Sequence, residues 1–314
     1  MTTVMVTGAT GFIGRHILDR LERASNVRTI AVVRTADAGK RSWVAATVQA
    51  DLGHAGEVRS MMGRWRPDAV IHAAGRAEGD AAVLWRDNLE ATSNLLDAVA
   101  AEAPKALIVL LGSAAEYGPP AAPEPLKETS PCRPTSVYGQ TKLAMTNEAM
   151  ARAARGEIRA TVVRPFNVIG PGMSPGHVLG AFLERAKSAS AGRNASRVVR
   201  MGRLDTIRDF VAVADLVSVI ERIMERSIAG EIINACTGRG QSAGGLLARM
   251  LALVDADVQI ESDPVLLRET DVPAAIGDPE KCRRMLGFVP DADLDATLLA
   301  TWASAMSSHG RAAL

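Results

Sequence analysis

The chain has 314 residues, enough for one large α/β domain or a large domain with a smaller one beside it, and too many for a peptide-like module. Hydrophobic residues make up 47% and charged residues 23%, with 36 basic side chains against 35 acidic ones and a net charge of +1. This is an ordinary globular composition, and the lack of a basic excess argues against nucleic acid as a partner. Cys132, Cys236 and Cys282 are far apart, with no C-x-x-C pair, so neither a disulfide framework nor a metal site is indicated and a reducing cytoplasm fits. No apolar run approaches the roughly 20 residues of a membrane span, and no leader pattern precedes the first strand-like segment. A cytoplasmic, unprocessed chain is expected.

The first half alternates short apolar runs with helical periods. Strands are predicted at Val4 to Thr7, Thr29 to Val33, Ala45 to Val48, Ala69 to His72, Ala106 to Leu111 and Ala160 to Arg164. Helical segments such as Gly14 to Arg23 and Asn88 to Ala103 lie between them, which predicts a parallel, doubly wound sheet of Rossmann type covered on both faces. Turn signals at Gly170-Pro171-Gly172 and Ser174-Pro175-Gly176 mark a change of texture, followed by a helix near His177 to Ala189. A helix over Ala214 to Met224 and a strand at Glu231 to Ala235 are expected to rejoin the sheet. Helices at Gly244 to Val254 and Asp293 to Met306 belong to a smaller α/β lobe. The expected division is therefore 1–168 with 207–237, and 169–206 with 238–314.

The junction of the first strand and helix reads Thr7-Gly8-Ala9-Thr10-Gly11-Phe12-Ile13-Gly14. Glycines there allow a tight turn and close backbone approach to a pyrophosphate, and the helix N-terminus adds amide donors, so a dinucleotide is the expected ligand. At the end of the second strand, about 20 residues on, an acidic residue would select NAD and an arginine NADP. Arg34 stands there, which favours NADP(H). NAD(H) stays open through Asp37, three residues further on.

Tyr138-Gly139-Gln140-Thr141-Lys142 sets a phenol and an ammonium four residues apart, on one helix face. The ammonium is expected to lower the phenol's pKa and to hold a nicotinamide ribose. Ser113 follows an apolar strand at the edge where open α/β sheets bind ligands, so its hydroxyl can polarise the same oxygen that Tyr138 protonates.

These motifs resemble those of the extended short-chain dehydrogenase/reductase family, whose signature is Thr-Gly-x-x-Gly-x-x-Gly with a Ser/Thr, Tyr and Lys set matched here by Ser113, Tyr138 and Lys142. The resemblance implies cofactor contacts at Gly8, Gly11, Phe12, Ile13, Gly14, Arg34, Asp51, Leu52, Ala73, Ala74, Gly75 and Asn88, besides Tyr138 and Lys142. It implies an NDP-sugar substrate touched by Ser113, Ala114, Glu116, Asn167, Arg208 and Arg268, with Arg208 first and Arg268 second for the diphosphate. His177 and Lys187 are expected at the solvent. A homodimer through the helices of Asn88 to Ala103 and Tyr138 to Ala154 is also implied.

The family's dehydratases carry an acid just after the catalytic Ser/Thr, where this chain has Ala114 and Ala115. Glu116 comes next, as a substrate-loop or structural residue, and Tyr117 is expected beside the same substrate. The stretch Gly202 to Val211, with Arg208-Asp209-Phe210, and the tail resemble GDP-4-dehydro-6-deoxy-D-mannose reductases, with Arg203 in place of their usual asparagine. A 4-keto-6-deoxyhexose 4-reductase is the implied activity. A 4-epimerase with tightly bound NAD and a non-catalytic NADP sensor are the alternatives.

Overall fold

The computed structural model describes residues 1–35, 41–120, 124–191, 198–256, 258–266 and 272–307. In chain order its main strands are β1 (Thr2–Thr7), β2 (Val27–Val33), β3 (Ala46–Gln49), β4 (Ala69–His72), β5 (Leu107–Leu111), β6 (Arg159–Pro165), β7 (Asn167–Ile169), β8 (Val198–Met201), β9 (Ile207–Ala212), β10 (Glu231–Ala235), β11 (Gly240–Ser242), β12 (Gln259–Ser262) and β13 (Ala274–Ala275). The helices are α1 (Phe12–Leu21), α2 (Ala55–Trp65), α3 (Ala81–Leu84), α4 (Ala91–Glu102), α5 (Val137–Ala154), α6 (Val178–Ala191), α7 (Val213–Glu225), α8 (Ala243–Val254), α9 (Glu280–Leu286) and α10 (Leu294–Ser307).

Seven strands form one parallel sheet in the order β10-β6-β5-β4-β1-β2-β3. The order reverses at β1, so the crevice at the carboxyl ends of β1 and β4 is the switch point where such sheets take ligands. Period-2 alternation sends Val4, Val6, Val109 and Leu111 to one face and Met5, Ile108 and Leu110 to the other. Both faces are covered, α1 and α7 packing on the first and α2, α4 and α5 on the second, and this is why the strands read as unbroken apolar runs. A third core gathers Phe182, Leu183, Leu246, Leu247 and Leu298 from α6, α8 and α10.

The predicted strands of the first half all form, within a few residues of their expected ends. The strand expected at Glu231 to Ala235 joins the main sheet as β10, and the helix expected over Ala214 to Met224 packs on it as α7, whereas the sheet does not include β9. That strand pairs instead with β7, β11 and β13 in a separate small sheet, because its partners come from the second half of the chain. Asp209 pins this sheet to the main body. Its fully buried carboxylate accepts from the backbone N–H groups of Thr237, Gly238 and Gly277 and from the Thr237 hydroxyl. No helix among the described residues is long and apolar enough to cross a membrane.

Candidate active site

The loop from β1 to α1 is shaped by close backbone packing. Gly8 has φ of +67°, and a Cβ there would lie 2.5 Å from the Ala74 nitrogen; one on Gly14 would lie 2.0 Å from the Gly8 carbonyl oxygen. Glycine is thus required at both places, and the loop is pressed against the Ala73-Ala74-Gly75 turn that follows β4. Gly11 is the N-cap of α1 without any side-chain cap, and no acidic residue occupies the first turn. The first-turn amides and the positive end of the helix dipole are therefore open to an anion.

Beneath the loop, His72 is buried at the end of β4, directly opposite Thr7 in the β1–β4 register. The Thr92 hydroxyl donates to the Asn88 carbonyl at 2.5 Å, so the His72 Nε2–H donates to the Thr92 oxygen (2.9 Å) and Nδ1 accepts from the Thr7 hydroxyl (2.7 Å). Burial, helped by the charge of Lys142, pushes His72 down to about 3, consistent with this neutral tautomer.

Asn88 lies in a π-helical turn, Trp85–Glu90, between α3 and α4. Such turns recur at functional sites because the widened turn redirects side chains. The Asn88 amide accepts from the Arg76 N–H and donates to the Arg76 carbonyl and the Thr141 hydroxyl, at 2.8, 2.9 and 2.9 Å. Sequence reasoning placed Asn88 against the cofactor. In the structure the residue is 1% exposed and engaged by these bonds, so it braces the turn after β4 against the N-terminal part of α5.

Tyr138 and Lys142 stand one turn apart on α5, whose N-cap Ser136 accepts from the Gly139 N–H. The Ser113 side chain lies beside the Tyr138 phenol, close enough to act on its titration. Burial raises the phenol's pKa above the ordinary tyrosine value, the Ser113 contact opposes the rise, and the charge of Glu116 adds to it. Lys142 is buried, with Nζ donating to the Leu111 carbonyl at 2.7 Å, and burial pushes it down to about 8. The expected lowering of the phenol by the ammonium is not what the structure delivers. The ammonium is turned to the strand edge near Gly75, where a Cβ would stand 3.4 Å from Nζ.

Glu116, expected as a substrate-loop or structural residue, and Tyr117, expected beside the substrate, are both buried. Glu116 ends the short 3₁₀ turn Ala114–Glu116 and pairs with Arg164 at 2.7 Å, the two side chains 0% and 3% exposed. Burial pushes the Glu116 carboxyl up, against the pull of Arg164 and the Ser113 N–H; for Arg164 burial acts to lower the pKa, but Glu116, Tyr117 and Cys132 together outweigh it and hold the guanidinium protonated. Tyr117 donates to Asn234 at 2.7 Å, and Arg164 lies 4.7 Å over its ring. The polar ends of both side chains are turned into the protein because their partners lie on β6 and β10, which local sequence cannot reveal.

At the end of β2, exposed Arg34 lies 3.6 Å from Asp87. Arg76 and Arg86 reach the same carboxylate at 2.9 and 2.8 Å. Burial would raise Asp87, but the hydrogen bonds from Arg86 and Arg76 and the Arg34 charge outweigh it, so the carboxyl stays below the usual range. Three guanidiniums face one carboxylate, an excess of positive charge that the sequence had located only at Arg34. Asp51 is exposed, and Leu52 is buried with its carbonyl held by Asn94. Asp37 and Arg268 lie outside the described residues.

Asn167, at the start of β7, and Arg208, on β9, line one cavity of about 340 Å³ between β7, α6 and β9. His177, Arg185 and Arg203 join them on its wall. His177 is exposed as expected, whereas Lys187 is largely covered and paired with Glu184 at 2.7 Å. Arg185, Asp87 and Thr146 had not been singled out from sequence. Only Thr146 carried a usable signal, the i, i+4, i+8 spacing it shares with Tyr138 and Lys142.

Curated relatives cover nearly the whole chain. It is 28% identical to a GDP-6-deoxy-D-mannose reductase of Pseudomonas aeruginosa (96% of this chain, 97% of the relative) and 28% to a GDP-6-deoxy-D-talose 4-dehydrogenase of Aggregatibacter actinomycetemcomitans (90% and 91%). It is 31% identical to a UDP-glucose 4-epimerase of Azospirillum brasilense (92% and 88%). Among solved structures, RMD from Pseudomonas aeruginosa complexed with NADPH superposes with a TM-score of 0.83 at 25% identity (98% and 100% covered). MoeE5 in complex with UDP-glucuronic acid and NAD gives 0.84 at 26% (98% and 99%). Residues 4–236 match the model of the NAD dependent epimerase/dehydratase family. With the glycine loop at the switch point and Ser113 meeting Tyr138 on the helix that carries Lys142, this match over most of the chain places the protein in that family.

Proposed function

We propose that the protein is a reductase of a nucleotide-linked 4-keto-6-deoxyhexose, using NADPH. The observation that carries the reading is the grouping of Ser113, Tyr138 and buried Lys142 at the carboxyl end of β5. The open amides of α1, free of a capping side chain, fit a pyrophosphate, and the arginines around Asp87 fit a 2′-phosphate. A nicotinamide held there would supply the hydride that the sugar C4 needs. Ser113 hydrogen-bonds the C4 oxygen, Tyr138 donates its phenolic proton to that oxygen as charge develops there, and Lys142 holds the ribose. In the cavity, Arg208 offers guanidinium donors to the diphosphate beside Asn167, on the wall that faces the lobe we assign to 169–206 and 238–314.

The fate of Glu116 bears on the choice of reaction. Dehydration needs an acid beside the substrate, and the nearest carboxylate after Ser113 is sealed in an ion pair with Arg164. The arginines around Asp87 favour NADPH over the NAD that a 4-epimerase retains. A panel of GDP-, dTDP- and UDP-4-keto-6-deoxyhexoses assayed by NADPH oxidation is expected to yield turnover with one of them, and faster with NADPH than with NADH. Interconversion of UDP-hexoses with no oxidation of NADPH on any of the panel would instead assign the chain to the 4-epimerases.

A further inference from the structure

The carboxylate of Glu116 touches both halves of the candidate catalytic set. Its Oε1 accepts from the Ser113 backbone N–H at 2.8 Å and from the Thr146 hydroxyl at 3.1 Å, while Oε2 accepts from Arg164 Nε at 2.7 Å. Ser113 opens the turn after β5. Thr146 lies on α5, four residues beyond Lys142 and eight beyond Tyr138, on the same face. One oxygen atom thus ties the strand edge that carries Ser113 to the helix that carries Tyr138. The approach needs Gly112, where a Cβ would stand 2.4 Å from Oε1. Arg164, held over the Tyr117 ring, fixes the other oxygen so that the carboxylate cannot turn.

We propose that Glu116 is a positioning residue, setting through Thr146 the register between Ser113 and α5 so that the Ser113 hydroxyl stays in reach of the Tyr138 phenol. The proposal rests on the reading that Ser113 and Tyr138 handle the C4 oxygen. Reacting groups displaced by about 1 Å can lose on the order of 10²-fold in rate, so a loosened register should appear in kcat and not in cofactor binding.

The discriminating variant is Thr146→Val, which deletes one hydroxyl and keeps the shape, with Thr146→Ser as its rescue. Because the chain has two tyrosines, labelling tyrosine Cζ with carbon-13 gives two resonances, and Tyr138→Phe assigns the one that disappears. In T146V the Tyr138 resonance is expected to shift as its partnership with Ser113 loosens, and kcat to fall about 10-fold to 100-fold with the KM for NADPH unchanged. T146S is expected to restore both. A Tyr138 resonance that does not move in T146V, or one that moves while kcat stays at the starting value, overturns the proposal. The reductase reading fails by a different result, unimpaired turnover in Y138F or inactivity on the whole sugar panel, and the resonance still reports the register in that case.

Discussion

Tyr138→Phe is expected to lower kcat by about 10²-fold to 10⁴-fold, the range that a positioned general acid contributes. The substitution removes one oxygen and keeps the ring, so NADPH affinity, measured by fluorescence titration, should stay within about twofold. The pH dependence should be that of Lys142 rather than of the phenol. Burial pushes this lysine down to about 8, so it is charged below that value and loses its ammonium as pH rises through it. The phenol lies above its ordinary value and stays protonated across the same window. We therefore expect kcat/KM for NADPH to be level at neutral pH and to fall above about pH 8. A Y138F protein that oxidises NADPH at the starting rate would remove tyrosine from the proton transfer.

The second large effect is on stability. Arg164→Met leaves the Glu116 carboxylate buried without a counter-charge, and breaking a buried pair in this way typically costs about 3–5 kcal/mol. Urea unfolding should show a lower midpoint with an unchanged slope. The double replacement Arg164→Met with Glu116→Leu should recover much of the loss, because it removes both charges and fills the space with apolar atoms. The double variant should nonetheless turn over slowly, having lost the link from Ser113 to Thr146. A loss below about 1 kcal/mol in the single variant would mean that Glu116 becomes neutral or hydrated at little cost.

The seven-stranded sheet could be read from the chain because its central strands β4, β5 and β6 are buried on both faces and bounded by turn residues. The glycine loop was equally legible, since Gly8 and Gly14 are demanded by contacts within seven residues of each other and by the adjoining strand. What escaped was set by long-range partners. The two residues of β13 form a strand only because Ile207 and Arg208 lie beside them. The π turn at Trp85–Glu90 has no period that a 3.6-residue pattern detects. Glu116 looked like a loop residue because Arg164, its partner, is 48 positions away. Asp87 was passed over for the same reason, since only the fold brings Arg34 and Arg76 to it.

The buried histidine beneath the phosphate loop has a consequence for how acid acts on this protein. His72 takes up a proton readily once unfolded, at its ordinary value of 6.5, but in the fold only near 3. Between those values the unfolded chain binds more protons, so stability drains away as pH falls from about 6.5 toward 3 while the histidine itself stays neutral. The thread from Thr7 through His72 and Thr92 to Asn88 therefore keeps one hydrogen-bond polarity for as long as the chain is folded. Acid can remove the folded population, but it cannot retune the geometry between the loop and the catalytic helix.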